Sequence, residues 1–294
     1  MNVYRRKRTI WSGCLVALLL LVSGSAAAIE YHLTAMPTEL NMPDGAIVPA
    51  WGYAVTRVVA ADGITVILDD PGAPAKVPGD PLVVPFDDPT LKVFLTNGLL
   101  EATSVHIIGQ AMTDPGPATF VDGRVMSFVH ETGIGAVDVL YQWDDLKAGT
   151  YLLQSATHPA KQVQMGLFAA VVKDAGDGEA YPGVPVDAQR LLVFHDVDPE
   201  IQAAIDAGDY GAPGASIPSS VYRKARCFLI NGKSFPDTGL DPVALGQTVL
   251  LRYVNAGLET HVPQILGAYL TQVAQDGNPL QYYREIYGFE LNSA

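Results

Sequence analysis

The chain has 294 residues, a formal net charge of −13, and 28 glycines and 21 prolines spread between short apolar runs. So acidic a balance excludes nucleic acid as a partner and opposes adsorption to anionic lipid. With two cysteines, Cys14 and Cys227, a disulfide framework is excluded as well.

Residues 1–28 predict a signal peptide. Arg5, Arg6, Lys7 and Arg8 form a basic start, Leu15 to Val22 an apolar centre, and Ala26-Ala27-Ala28 an A-x-A cleavage site. The apolar run is too short for a comfortable transmembrane helix, so no stable membrane anchoring is expected after cleavage. Arg5-Arg6 leaves Sec and twin-arginine export both open, and Cys14 precedes the apolar centre, where it is not placed for lipidation. Cleavage after Ala28 would leave a periplasmic or secreted chain of roughly 266 residues. Losing four basic and no acidic residues takes the net charge from −13 to −17. Cys227, in the strand-like run Arg226-Cys227-Phe228-Leu229-Ile230, then has no disulfide partner and reads as a buried thiol.

The rest of the chain has the punctuation of an all-β protein. Met42-Pro43-Asp44-Gly45 is a turn, Trp51 and Tyr53 are packing residues, and Tyr53–Ala61 and Ile64–Leu68 flank a hairpin at Ala61-Asp62-Gly63. Pro71–Pro81 is a loop, and Leu91–Asn97 alternates as a strand. Residues 111–135 read as a long polar loop in which His130 is solvated. Asp138–Trp143 is a strand. Lys173–Gly183, acidic and glycine-rich, marks a domain boundary. Beyond it Leu191–Phe194 is a strand, and His195 beside Asp196 is assigned to local hydrogen bonding. Pro199–Ala207 has helical composition, and Gln275-Asp276-Gly277-Asn278 closes a hairpin.

Two stretches carry chemistry. The first is Thr103-Ser104-Val105-His106-Ile107-Ile108-Gly109. The second runs from Gly149-Thr150-Tyr151 through Ala156-Thr157-His158-Pro159 to Gln162 and Gly166-Leu167. The proline predicts extended geometry at His158, in a bend between two strands. Together these stretches resemble the first two copper motifs of the multicopper oxidases, proteins built from plastocyanin-like (cupredoxin) domains. In that family the first motif is His-x-His-Gly after a Thr-Ser-x lead. The second is His-x-His, three residues, Gln, three more, then Gly-Leu, after a Gly-Thr-Tyr lead. The second histidine of the first motif falls here on Ile108, and the first of the second motif on Ala156. A spacing of two puts both rings on one face of a strand. Copper takes imidazole or sulfur donors, which Ile and Ala lack.

The resemblance implies two cupredoxin-like Greek-key β-sandwiches, the second incomplete. The expected divisions are 29–173 for the first, 174–188 for a linker and 189–294 for the second. Strands at Phe228–Ile230, followed by Asn231-Gly232, and at Thr248–Asn255 also resemble the family's second domain, where His261 is structural. Copper binding is then the inherited chemistry, with His106 and His158 as metal ligands for one weakly held ion or for none. The blue-copper cysteine of the family stands between histidines, and Cys227 has none nearby. No catalytic residue is assigned, and oxidase activity is not expected of the isolated chain. It would require a second polypeptide supplying the missing domain. The alternatives are a non-catalytic binding module, or a fragment of a full-length copper-dependent oxidase.

Overall fold

The computed structural model describes residues 28–293. The expected signal peptide, Ala28 apart, lies outside the described residues. The first half comprises β1 (Ile29–Asn41), β2 (Ile47–Val59), β3 (Val66–Asp69), β4 (Leu82–Val84), β5 (Leu91–Asn97) and β6 (His106–Ile107). After these come β7 (Thr119–Val121), β8 (Arg124–Ser127), β9 (Val139–Trp143), β10 (Gly149–Gln154), α1 (Pro159–Met165) and β11 (Phe168–Lys173). The second half comprises β12 (Glu179–Tyr181), β13 (Val184–Pro185), β14 (Ala188–Val197), α2 (Pro199–Asp206), β15 (Cys227–Ile230), β16 (Lys233–Ser234), β17 (Val249–Asn255), β18 (Leu270–Gln275) and β19 (Asn278–Ile286).

Alternation builds the first sandwich. Along β1, Ile29, Tyr31, Leu33 and Ala35 are buried, and along β5 Leu91, Val93 and Leu95 are fully enclosed. This period of two is that of a strand with one face in a core. One sheet runs β3-β2-β1-β5-β9 and the other β4-β11-β10-β6. Their inward residues, among them Leu33, Leu95, Tyr141 and Trp143 from one sheet and Leu82, Ile107, Leu153 and Val171 from the other, form a single core. The expected β2–β3 hairpin is present: Asp62 Oδ1 accepts from the N–H groups of Ile64 and Thr65 at 2.8 and 2.7 Å.

Within the second sheet, β10 and β11 are buried on both faces. Leu152, Phe168 and Ala170 point away from the first core, into a second one. There they meet Val193, Val197, Leu229 and Val254 of a sheet ordered β16-β15-β14-β17, and Ala256 just after it. This explains why β10 and β11 read as near-continuous apolar runs rather than alternating ones. The outer face of the β14 sheet carries Phe194 and Tyr253, half-buried, and Phe228, exposed, with the His261 ring 5.2 Å from that of Phe194. In the β18–β19 hairpin Gln275 pairs with Asn278, while Asp276 and Gly277 take positive φ, as a tight primed turn requires.

Three local expectations are corrected. Residues 111–135 contain a hairpin, β7–β8. His130 is half-buried: it stacks on Tyr141 at 4.3 Å, and its Nε2 lies 3.0 Å from the Leu140 carbonyl. His195 lies within β14 rather than after it, and it makes no local hydrogen bonds. It points into the seam between the two halves, 2% exposed, with its ring 5.1 Å from Phe168 and both ring nitrogens unpartnered.

Burial disfavours the charged imidazole and pulls the His195 pKa down to about 4. A histidine in the unfolded chain titrates near 6.5. The contribution of neutral His195 is therefore fully present above pH ~6.5 and is lost as the pH falls toward about 4. The loss should reach about 3 kcal/mol. Urea unfolding at pH 7.5 and pH 4.5 should show His195→Met losing less stability on acidification than the wild type. Equal losses would show that His195 does not set the acid limb.

Candidate metal centre

The two motif stretches are brought side by side. β6 pairs antiparallel with β10, so that His106 lies opposite Gln154 and Ile107 opposite Leu153. The chain then turns through Ser155–His158 into α1 and returns as β11, β10's other neighbour.

A buried carboxamide joins them. Gln162, on α1, is fully enclosed. Its Oε1 accepts from Thr103 Oγ1 at 2.9 Å and Ser155 Oγ at 2.7 Å. Its Nε2 donates to Glu101 Oε1 and the Ala102 carbonyl, both at 2.8 Å. Glu101 also pairs with Lys161. A hydroxyl chain continues alongside: Ser104 and Thr157 are 2.9 Å apart, and Thr157 donates to Ser127 at 3.2 Å. Every hydrogen-bonding atom of the carboxamide is used, as burial demands.

The glycine after α1 has no substitute. Gly166 has φ +119, and a Cβ there would lie 2.4 Å from the Trp51 carbonyl oxygen and 2.6 Å from Val77. Leu167 is fully buried in the first core. The motif positions that survive in this chain, Thr103, Ser104, Gln162, Gly166 and Leu167, thus serve the fold.

His106 and His158 occupy different settings. Val105 and Ile107 face the first core, so His106 faces the opposite side of its sheet, half-buried. Burial lowers its pKa. His158 does not take the extended geometry expected before a proline: its φ and ψ are 43° and 55°. Its N–H donates to the Met126 carbonyl at 2.6 Å, and its own carbonyl accepts from Lys161 N at 2.9 Å and Gln162 N at 3.0 Å. These bonds hold a left-handed residue that costs roughly 1–2 kcal/mol outside glycine. Instead of a simple bend, α1 follows at once, with Pro159 at its first turn, where a missing N–H costs nothing. The His158 ring lies 6.4 Å from that of Tyr210. Burial lowers its pKa and Lys161 adds to this, against an opposing pull from Glu101. Both histidines therefore favour the neutral form that carries a lone pair for a metal.

The two substituted slots differ as well. Ala156 is fully buried in the first core, whereas Ile108 is 41% exposed. Among the described residues, no group of three or more His, Cys, Asp or Glu side chains is placed to hold a metal ion. A three-copper cluster therefore does not fit the residues present. Cys227 is half-buried against the second core, and burial pushes its pKa up, the reverse of an activated thiolate. Glu101, which shares in the Gln162 clamp, was not read from the sequence. Its place just ahead of Thr103-Ser104 was the available signal.

Two sandwiching sheets, a third sheet docked on them and the β6–β10 pairing define a cupredoxin-like β-sandwich fold of the kind found in multicopper oxidases. A blue copper oxidase from Nitrosomonas europaea is similar over 90% of this chain and 72% of its own, at 19% identity and a TM-score of 0.64. The multicopper oxidase mgLAC is similar over the same shares at 18% identity and a TM-score of 0.66. Fet3p, described as a multicopper oxidase that functions in iron import, is similar over 91% of this chain but 44% of its own, at 18% identity and a TM-score of 0.61. No family model and no curated protein sequence matches the chain. Among the described residues no helix is long and apolar enough to cross a membrane.

Gln162→Leu should leave two hydroxyls and the Glu101 carboxylate short of partners. It should cost about 2–4 kcal/mol, since each orphaned buried group costs about 1–3 kcal/mol. Chemical denaturation would measure this, and a loss below about 1 kcal/mol would mean the network is dispensable.

Proposed function

We propose that this chain is an exported protein of multicopper-oxidase type whose inherited chemistry is the binding of a copper ion, with His106 and His158 as its ligands. The observation that carries the reading is the Gln162 clamp. It holds the two motif stretches together in an arrangement that has kept one imidazole from each. Bound copper would supply a redox-active Lewis-acid centre. The chain's own residues offer neutral imidazoles, oriented by β6 on one side and by the left-handed backbone at the head of α1 on the other. Two imidazoles hold one ion weakly, with water or a third donor completing the coordination. Oxygen reduction is assigned only to an assembly in which a second polypeptide contributes the missing ligands.

A second reading, a cupredoxin-fold binding module without metal, is favoured by Ala156. It falls where the resembled motif has a histidine, and it packs in the core. Metal analysis separates the two. On the first reading, protein reconstituted with copper holds no more than one ion per chain and lacks the intense blue band that needs a thiolate ligand. The His106→Ala, His158→Ala double variant should then take up none. Three coppers per chain, or a strong blue band, would overturn the proposal. Equal uptake by wild type and double variant would place the copper elsewhere.

A further inference from the structure

The amino end of β1 is held by an acid. The backbone N–H of Ile29 donates to Asp88 Oδ2 at 2.7 Å, and the other carboxylate oxygen accepts from Thr90 N at 2.9 Å. Ala28, Ile29 and Asp88 are only 3–4% exposed. Lys173, itself buried, donates its ammonium to the backbone carbonyl of Asp88, and the carboxylates of Asp87, Asp88 and Asp145 all act on its charge. Three carboxylates thus share one side-chain cation. Among the described residues the oxygens of Asp88 meet only amide donors, and a charged donor makes the stronger bond to a carboxylate. The atom bonded to Asp88 Oδ2 is the nitrogen of the peptide bond at which the signal segment is expected to be cut.

We propose that Asp88 is the built-in counter-ion of the mature amino terminus. A signal-removing protease would add water across the Ala28–Ile29 peptide bond. The carboxylate would leave on Ala28, and the Ile29 nitrogen would become an α-ammonium paired with Asp88. Ile29 is the first residue of β1 and lies beside Leu91 in the parallel pairing with β5, at the middle of the five-stranded sheet. Processing thereby replaces a neutral amide donor to the Asp88 carboxylate with a charged one, an ion pair at the point where that sheet begins. The uncut chain lacks this pair and is the less stable form. The inference rests on the export reading of residues 1–28.

The test uses the chain beginning at Ile29, released from a fusion by a protease that leaves no extra residue, so that it does not depend on cellular export. It is compared with the same chain Nα-acetylated, which keeps the N–H and loses only the charge. At pH 6.5 acetylation should raise the unfolding equilibrium constant about tenfold, as expected when a neutral amide replaces an ammonium as donor to the same carboxylate. An α-amine ordinarily titrates at about 7.7–8.0, and pairing with a carboxylate raises that value. The advantage is therefore fully present below pH ~7.7 and is lost as the pH rises through the raised value. Lys173, Asp87 and Asp145 are common to both forms and cancel in the comparison. In Asp88→Asn, acetylation should make no difference. Equal stability of the free and acetylated chains at pH 6.5 would overturn the pairing, even if Asp88→Asn fails to fold. N-terminal sequencing of the exported chain reads the processing separately. A start at Ile29 supports it, and an intact Met1 would sink the export reading together with the role of the pair.

Discussion

The structure turns on one buried carboxamide. Gln162 gathers four partners from two places in the chain, the segment before β6 and the turn after β10. Without water to fall back on, each group must find its mate inside the protein, and the network closes in one arrangement. That arrangement sets the register of β6 on β10 and the take-off of α1. It therefore sets where His106 and His158 stand. Motif spacing that looks like a signature of metal chemistry proves, in this chain, to be first a device for joining two segments.

The strands were legible because their burial is periodic or continuous. β1 and β5 alternate, and the pattern shows in their letters. β10 and β11 do not alternate, since one face meets the first core and the other the second. The α2 helix was visible in its composition, with Asp198 capping its first turn by accepting from Glu200 N and Ile201 N. By contrast α1 was hidden. Its seven residues are too few to show helical periodicity, and the proline that argued for extended backbone at His158 sits at a helix start, where proline is welcome.

The site was legible in part. His106 and His158 stand out as candidate ligands from the letters alone, as does the lack of donors at Ile108 and Ala156, where the resembled motifs have histidine. What the letters could not show was depth. His130 and His195 were assigned to a loop and to local bonds because neither has a second donor at ligand spacing in the sequence. Their true neighbours, Tyr141 and Phe168, arrive from other strands. A histidine's surroundings are a tertiary property, and pairing across sheets decides them. The tie between Ile29 and Asp88 joins positions 59 residues apart and was out of reach for the same reason.

Ile108 and Ala156, which fall where the resembled motifs have histidine, differ in how readily each position could take a ring. A ring at position 108, just after β6 and 41% exposed, can turn toward solvent. A ring at position 156 must open space among enclosed side chains packed as densely as a crystal. Any move to a fuller donor set, by drift or by engineering, has an easy first step and a hard second one. A small residue in such a place acts as a ratchet: once the core has closed over Ala156, every neighbour that tightens around it makes a larger side chain there harder to admit.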